Sequence, residues 1–153
     1  GDVTGSASFD GSAAVTLTAT VADDSHSHAT STLSDVSVGA YTPTVSTSVN
    51  ITTATPQYTT YMRVGNMVFV SGRLQLQPTA TGAFSITLNP PIVRSANFTT
   101  VAQANGTAVE SQTPLLARIS AVVSSTNIIV EGHTTATYTG NRIMSYTYSY
   151  YLT

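Results

Sequence analysis

Apolar residues alternate with serine and threonine along much of this chain, and no segment repeats its apolar residues with the period of a helix. Side chains two residues apart on a strand point to the same side of a sheet. Such alternation therefore gives each strand one apolar face and one hydroxyl-bearing face. The valine, isoleucine and tyrosine residues also suit a pleated surface better than a helix. The pattern predicts an all-β protein.

Turn-forming residues separate the predicted strands. Gly65-Asn66 lies between two apolar runs and has the form of a two-residue hairpin turn with glycine in the first central position. Asp10-Gly11 is a second turn signal, and Asn89-Pro90-Pro91 ends a strand because proline cannot donate to a sheet ladder. Residues 102–114 have the composition of a longer loop. Several short strands at this spacing predict an antiparallel β-sandwich head over residues 41–153.

The last predicted strand carries three tyrosines, Tyr146, Tyr148 and Tyr150, on the same face as Met144. Tyrosine has a flat apolar face and a polar tip, so this row could stack against sugars. Alternation with serine and threonine favours the other interpretation, a core or an interface between subunits. Loops are then the better candidates for contacting a partner. The candidate loops are residues 78–82, 103–113 and 138–142.

Residues 1–40 form a separate region with too few apolar residues to bury a core alone. Val15, Leu17, Ala19 and Val21 alternate with threonine and predict a strand. The motif Asp23-Asp24-Ser25-His26-Ser27-His28 follows, and then a polar connector over residues 29–37. Because such a strand needs partners, we expect this region to be a trimeric neck or stalk ahead of the head.

The histidine pair is the candidate metal site. His26 and His28 would point the same way from a strand, and three parallel chains would supply six imidazole nitrogens around one axis. Neutral imidazoles suit a divalent transition ion such as iron, nickel, cobalt or zinc, although zinc usually prefers four ligands. Asp23 and Asp24 could accept hydrogen bonds from the imidazoles or be solvated charges. Taken alone, such a pair is more often two ordinary surface histidines.

Composition excludes several classes of function. Only 8% of the residues are charged, against about 25% in ordinary soluble domains. The net charge of -2 without any lysine argues against nucleic-acid binding. No apolar run approaches the ~20 residues that cross a bilayer, so membrane insertion is not expected. The basic residues are five arginines: Arg63, Arg73, Arg94, Arg118 and Arg142.

Catalysis has little support in the sequence, and we expect that the chain is not an enzyme. Glycoside hydrolysis normally needs two carboxyl groups about 5–10 Å apart, and the predicted head offers only Glu110 and Glu131, in separate elements. A serine–histidine–aspartate site needs an orienting acid, but the head has no aspartate and His133 is its one histidine. We do not count His133 as a metal ligand either.

Two parts of the chain resemble bacteriophage tail-fibre proteins. The opening GDVTGSASFDGS and the later DDSHSH, within residues 1–28, resemble a segment that precedes the fibre tip. The segments YTPTVS (41–46), YMRVGNMVFVSG (61–72) and PTATG (78–82) are similar to the C-terminal β-domains of such fibres. The ending SYTYSYYLT resembles the final strand of that domain.

The resemblance implies a parallel homotrimer at the tip of a virion tail fibre, with the metal on its threefold axis. The ligand role then falls on His26 and His28. Related tips carry several His-x-His pairs whereas this chain carries one, so a single ion is expected. The implied function is adsorption to a host-surface glycan, outer-membrane protein or other outer-membrane component, with the rest of the phage tail as a further partner. The chain would be the C-terminal piece of a longer protein.

Other functions stay open at this point. The main alternative is a purely structural fibre or virion decoration segment without receptor affinity. A glycan depolymerase and a non-viral adhesin are further alternatives.

Overall fold

The computed structural model describes residues 3–21, 36–93, 96–110, 116–135 and 140–152. The chain divides into two compact units, Gly1–Leu33 and Ser34–Thr153, and each is described by itself. The all-β prediction is confirmed, because the described residues form strands, turns and one short 3-10 helix at Val101–Gln103. In this part of the chain no helix is long and apolar enough to cross a membrane.

In the first unit, residues 3–21 contain two very short strands. β1 (Val3–Thr4) pairs antiparallel with β2 (Thr20–Val21). The strand predicted from Val15 to Val21 is therefore wrong over most of its length. Val15 and Leu17 remain 45% and 58% exposed, because a strand is stabilised by paired neighbours and, among the described residues of this unit, β1 pairs only with Thr20 and Val21.

The turn predicted at Asp10-Gly11 is confirmed. The carboxylate of Asp10 accepts hydrogen bonds from the hydroxyl of Ser12 at 2.6 Å and from its backbone N–H at 2.9 Å. Both hydrogen bonds lower the pKa of Asp10 below its usual value, and the bond from the hydroxyl of Ser12 has the larger effect.

The described residues of the head form nine strands in one antiparallel sheet with the order β3-β5-β6-β11-β8-β9-β10-β7-β4. The strands are β3 (Val36–Tyr41), β4 (Val45–Val49), β5 (Ile51–Val64), β6 (Met67–Pro78), β7 (Gly82–Leu88), β8 (Ala104–Glu110), β9 (Leu116–Ala121), β10 (Ile128–Thr134) and β11 (Arg142–Tyr151). The edge strand β3 lies ahead of the expected head boundary near residue 41.

The sheet curls back on itself. Strand β4 lies at one edge and β5 lies next to the other edge, yet only Asn50 separates them along the chain. A flat sheet of nine strands could not place them so close, so the predicted sandwich takes the form of one curled sheet. Its concave side encloses the core, and its convex side is called the outer face below.

The core is built from the alternating apolar residues, as the sequence predicts. Strands β6, β7 and β11 each direct every second side chain inward, and these side chains are at most 4% exposed. They are Val68, Val70, Leu74, Leu76, Phe84, Ile86, Leu88, Met144, Tyr146, Tyr148 and Tyr150. The burial of the three tyrosines confirms their interpretation as core and excludes a sugar-stacking role for this row.

The predicted hairpin turn is confirmed at Gly65-Asn66, where Val64 pairs with Met67. Gly65 has φ of +57°, a conformation that glycine adopts without steric cost. Strand β7 also ends at Leu88, just before the two prolines, as predicted.

The loop predicted over residues 102–114 is wrong, because β8 occupies residues 104–110. It lies in the middle of the sheet, between β11 and β9. Three of its four inward positions are small: Ala104 and Ala108 are buried, and a Cβ on Gly106 would come within 2.5 Å of the Cβ of Tyr148. These small residues leave room for the tyrosines of β11. Packing against neighbours therefore outweighs the weak strand propensity of this segment.

Candidate functional site

The outer face of the sheet is rich in hydroxyl groups. Aligned cross-strand partners form one row of outward-facing side chains that crosses all nine strands. The row runs Ala40, Thr60, Ser71, Thr147, Thr107, Arg118, Glu131, Ser85 and Val49. Its charged members neutralise each other, since Arg118 donates from Nε and Nη2 to Oε2 of Glu131 at 3.0 and 2.8 Å. Most of this face is therefore neutral and able to hydrogen-bond.

An apolar groove of about 850 Å³ opens on the outer face of the five neighbouring strands β3, β5, β6, β11 and β8. We call it the outer groove, and its apolar wall consists of Val38, Met62 and Phe69 with Tyr58 at one end. Val38 pairs with Met62, and Met62 pairs with Phe69 across the next strand. These three side chains are 62%, 44% and 43% exposed. A contiguous exposed apolar surface of this kind marks an interaction or ligand site.

A polar hollow of about 470 Å³ adjoins the groove. We call it the bulge hollow; it is lined by Gln57, Tyr58, Thr60, Ser71, Gly72, Arg73 and Ser145. Tyr58, Thr60 and Ser71 line the outer groove as well. The groove and the hollow therefore form one continuous surface, apolar at one side and polar at the other.

A β-bulge in β5 shapes the hollow. Pro56 pairs with Leu74 and Thr59 pairs with Gly72, so both Gln57 and Tyr58 stand opposite Arg73. An extra residue of this kind bends its strand and redirects side chains, and bulges are common next to functional sites. Tyr58 is 71% exposed, and consecutive residues of β5 line the same hollow.

The bulge is held from the core by a buried hydrogen-bond chain. The hydroxyl of Thr59 donates to the carbonyl oxygen of Gln57 at 3.1 Å. Its single proton is then in use, so it accepts from the hydroxyl of Tyr146 at 2.7 Å. A Cβ at position 72 would overlap the Oγ1 atom of Thr59. Glycine at position 72 therefore leaves the space that the side chain of Thr59 occupies.

Arg73 is the free cation of this surface. Among the residues that the structure describes, it makes no hydrogen bond or ion pair. By contrast, Arg63 donates to the carbonyl oxygen of Gly65 and Arg118 is paired with Glu131. The guanidinium of Arg73 is thus available to a ligand.

No described carboxylate of the head shares this part of the outer face with Arg73. Glu131 lies four strands away and is paired, and Glu110 is buried beside Met144 on the core side. These two acids are the only carboxylic acid side chains in residues 41–153. Strand β9 separates them. They do not face one another across this surface.

The sequence-predicted metal ligands His26 and His28, with Asp23 and Asp24, lie outside the described residues. His133 is exposed on β10, where it pairs with Ala83. Within the described ranges, no group of three or more histidine, cysteine, aspartate or glutamate side chains could hold a metal ion.

The candidate loops do not form the site. Only residues 79–81 remain as a loop between β6 and β7, residues 104–110 are strand, and the segment at 138–142 is only partly described. Sequence reasoning missed the outer face of β5 and β6 because alternation marks its residues simply as solvent-facing. The one available signal is Pro56-Gln57-Tyr58, which interrupts the alternation of β5.

No protein-family model matches the chain, and no curated protein sequence matches it. One solved structure with a similar arrangement is a reovirus attachment protein, sigma1, in complex with alpha-2,3-sialyllactose. The TM-score is 0.44 at 13% sequence identity, and the match covers 88% of this chain and 71% of that chain.

Proposed function

We propose that this chain is the receptor-binding tip of a bacteriophage tail fibre and that it attaches the virion to a host-surface glycan. The tail-fibre resemblance of its sequence supports this proposal. The observation that carries it is the continuous surface formed by the outer groove and the bulge hollow. Sugars present apolar C–H faces beside hydroxyl groups, and this surface places Tyr58 and Phe69 beside Thr60 and Ser71. An apolar wall with a few well-placed polar groups is typical of ligand sites.

The active form is proposed to be a homotrimer in which His26 and His28 of three chains bind one divalent transition ion. The exposed Val15 and Leu17 support association, since an alternating apolar row without neighbours is better buried against other copies. Three equivalent heads would strengthen weak sugar contacts by raising the effective concentration. The metal would hold the chains in register and slow unfolding, which suits an extracellular particle.

Replacing Phe69 by glutamate is expected to weaken binding of the trimeric protein to host cells by more than about tenfold, or roughly 1.4 kcal/mol. The substitution removes the aromatic member of the apolar wall and places a charge there. Val49→Glu is the matched control, because Val49 is also exposed on the outer face but lies at the far edge of the sheet. Flow cytometry with labelled protein would measure binding. Equal binding by both variants would contradict the proposal.

The same variant addresses the structural alternative. If Val38, Met62 and Phe69 pack between copies of this chain instead, Phe69→Glu would change the native mass. Wild-type protein that assembles fully but does not bind host cells would favour a structural fibre or decoration segment.

Substituting both His26 and His28 by alanine is expected to remove the bound metal and lower the melting temperature of the trimer, while the head still folds. The head keeps its own core, which contains neither residue. His133→Ala serves as the control and should leave both quantities unchanged. Metal analysis together with native mass spectrometry measures the effect. Unchanged metal content in the double variant would refute the ligand role.

A further inference from the structure

We infer that the bulge hollow binds an anionic sugar and that Arg73 binds the carboxylate or phosphate group of that sugar. This inference rests on the proposed function and names the class of its ligand. It assigns a role to the β-bulge of β5, which the sheet does not need for its own pairing.

Arg73 carries hydrogen-bond donors of the kind that bind an anionic group. A guanidinium presents several N–H donors in a planar fork that matches the two oxygens of a carboxylate or phosphate. The described residues offer Arg73 no acceptor, although the paired Arg118 shows that this outer face can supply one. Arg73 lines a hollow of about 470 Å³, which is large enough for a single sugar residue.

The groups around Arg73 leave its positive charge uncompensated. The hollow is otherwise lined by neutral groups, the hydroxyls of Thr60, Ser71 and Ser145 and the amide of Gln57. No described carboxylate of the head lies on this part of the outer face. An approaching anion therefore meets one uncompensated positive charge, and the hydroxyl groups around it can bind the sugar's own hydroxyls.

The β-bulge of β5 brings two further side chains to Arg73. Two consecutive residues of β5, Gln57 and Tyr58, stand opposite Arg73 where a regular strand would place one. The aromatic ring of Tyr58 is thereby exposed beside the cation, where it can cover the apolar face of the same sugar. The cation, the amide and the ring are thus brought to one point by a single irregularity.

Thr59 is a positioning residue in this arrangement. It is buried and does not line the hollow, but its hydroxyl ties the carbonyl oxygen of Gln57 to the hydroxyl of Tyr146. Loss of that hydroxyl should release the bulge and spread the groups around Arg73.

The test uses surface polysaccharide extracted from the host as the probe, in three forms: untreated, with its carboxylates methyl-esterified, and with its phosphates removed. Full-length protein is titrated with each form. We expect one of the two treatments to weaken binding, and the treatment that does so identifies the anionic group. Arg73→Gln should weaken binding of the untreated form by roughly tenfold to a hundredfold, the range for hydrogen bonds to a charged group. It should also abolish the difference between the forms.

Two controls separate charge from geometry. Arg118→Gln removes the same charge from a paired arginine on the same face and should leave binding unchanged. Arg73→Lys keeps the charge but loses the planar fork, so it should retain only part of the preference for the anionic form. Thr59→Val should lower that preference, whereas Thr59→Ser, which keeps the hydroxyl, should restore it. A purely structural role for Thr59 would lower stability without changing the preference.

The outcomes distinguish this inference from the proposed function. Wild-type binding to host cells that is insensitive to both treatments and to Arg73→Gln would overturn the anionic-sugar site and leave the proposed function standing. Absence of wild-type binding to host cells and to all three forms would overturn both.

Discussion

Replacing Gly106 by alanine is expected to destabilise the head by at least about 3 kcal/mol, the upper range for overpacking a well-packed site. A Cβ at this position would overlap the carbonyl oxygen of Thr147 and lie 2.6 Å from the Cα of Tyr148. Both are main-chain atoms of β11, so no change of side-chain rotamer can relieve the clash. Strand β8 would have to move away from β11, to which Gly106 is paired through Tyr148.

Denaturant unfolding followed by tyrosine fluorescence measures this effect. Gly140→Ala is the matched control, because a Cβ at position 140 would meet no atom of the described residues within 4 Å. Its stability should stay within about 0.5 kcal/mol of the wild type, as for most surface substitutions. Equal stability of the two variants would show that β8 does not pack closely against β11.

The head is expected to unfold cooperatively in alkaline solution, between about pH 10 and pH 12. Burial raises the pKa of Tyr150 to about 12, from an ordinary value of 10.0. Burial likewise raises the pKa values of Tyr41, Tyr146 and Tyr148. A folded-state pKa above the unfolded value gives stability that is fully present below about pH 10. This stability is lost as the pH rises through the folded-state value, because the unfolded chain releases the protons more easily.

The contacts among these tyrosines explain why the effect should be cooperative. The ring of Tyr148 stacks between those of Tyr146 and Tyr150, with centroid distances of 6.2 and 6.0 Å. The hydroxyl groups of Tyr41 and Tyr148 lie 3.2 Å apart. One buried phenolate would therefore stand beside the next, and their repulsion adds to the cost of removing each charge from water.

Circular dichroism and tyrosinate absorbance, recorded together against pH, measure the transition. The part of the absorbance change that belongs to the buried tyrosines should coincide with the loss of the circular-dichroism signal, above the usual titration range of tyrosine. Tyr58→Phe is the control, since that exposed side chain lies outside the core and its loss should leave the midpoint unchanged. Tyrosinate formation by the buried residues while the sheet stays intact would contradict the expected linkage.

The position of β8 shows where reasoning from sequence stops. Strands β6, β7 and β11 can be recognised from the alternation of apolar and polar residues. A shift of one residue in the register of any of them would expose all of its apolar side chains. Strand β8 has Ala104, Gly106, Ala108 and Glu110 at its inward positions, so no row of large apolar residues distinguishes it from a loop. Whether this segment forms a strand depends on packing against the tyrosines of β11, which lie some 40 residues away along the chain.

The candidate site depends even more on tertiary structure. Tyr58 and Arg73 are separated along the chain, and only the register of β5 against β6 makes them neighbours. The bulge that completes the hollow is held by Thr59 and Tyr146, residues from different strands. Alternation assigns Tyr58 and Arg73 to a solvent-facing side and says nothing about which side chains meet there.

The amino-acid sequence by itself determined that the protein is all-β, where its hairpin turn falls, and which side of the last strand is buried. Those features follow from local periodicity and from turn residues, which act over a few positions. Tertiary structure alone decided the order of the nine strands, the recruitment of β8, and the meeting of Tyr58, Gln57 and Arg73 on one surface. These features arise from packing and register between distant segments, and no short stretch of sequence contains them.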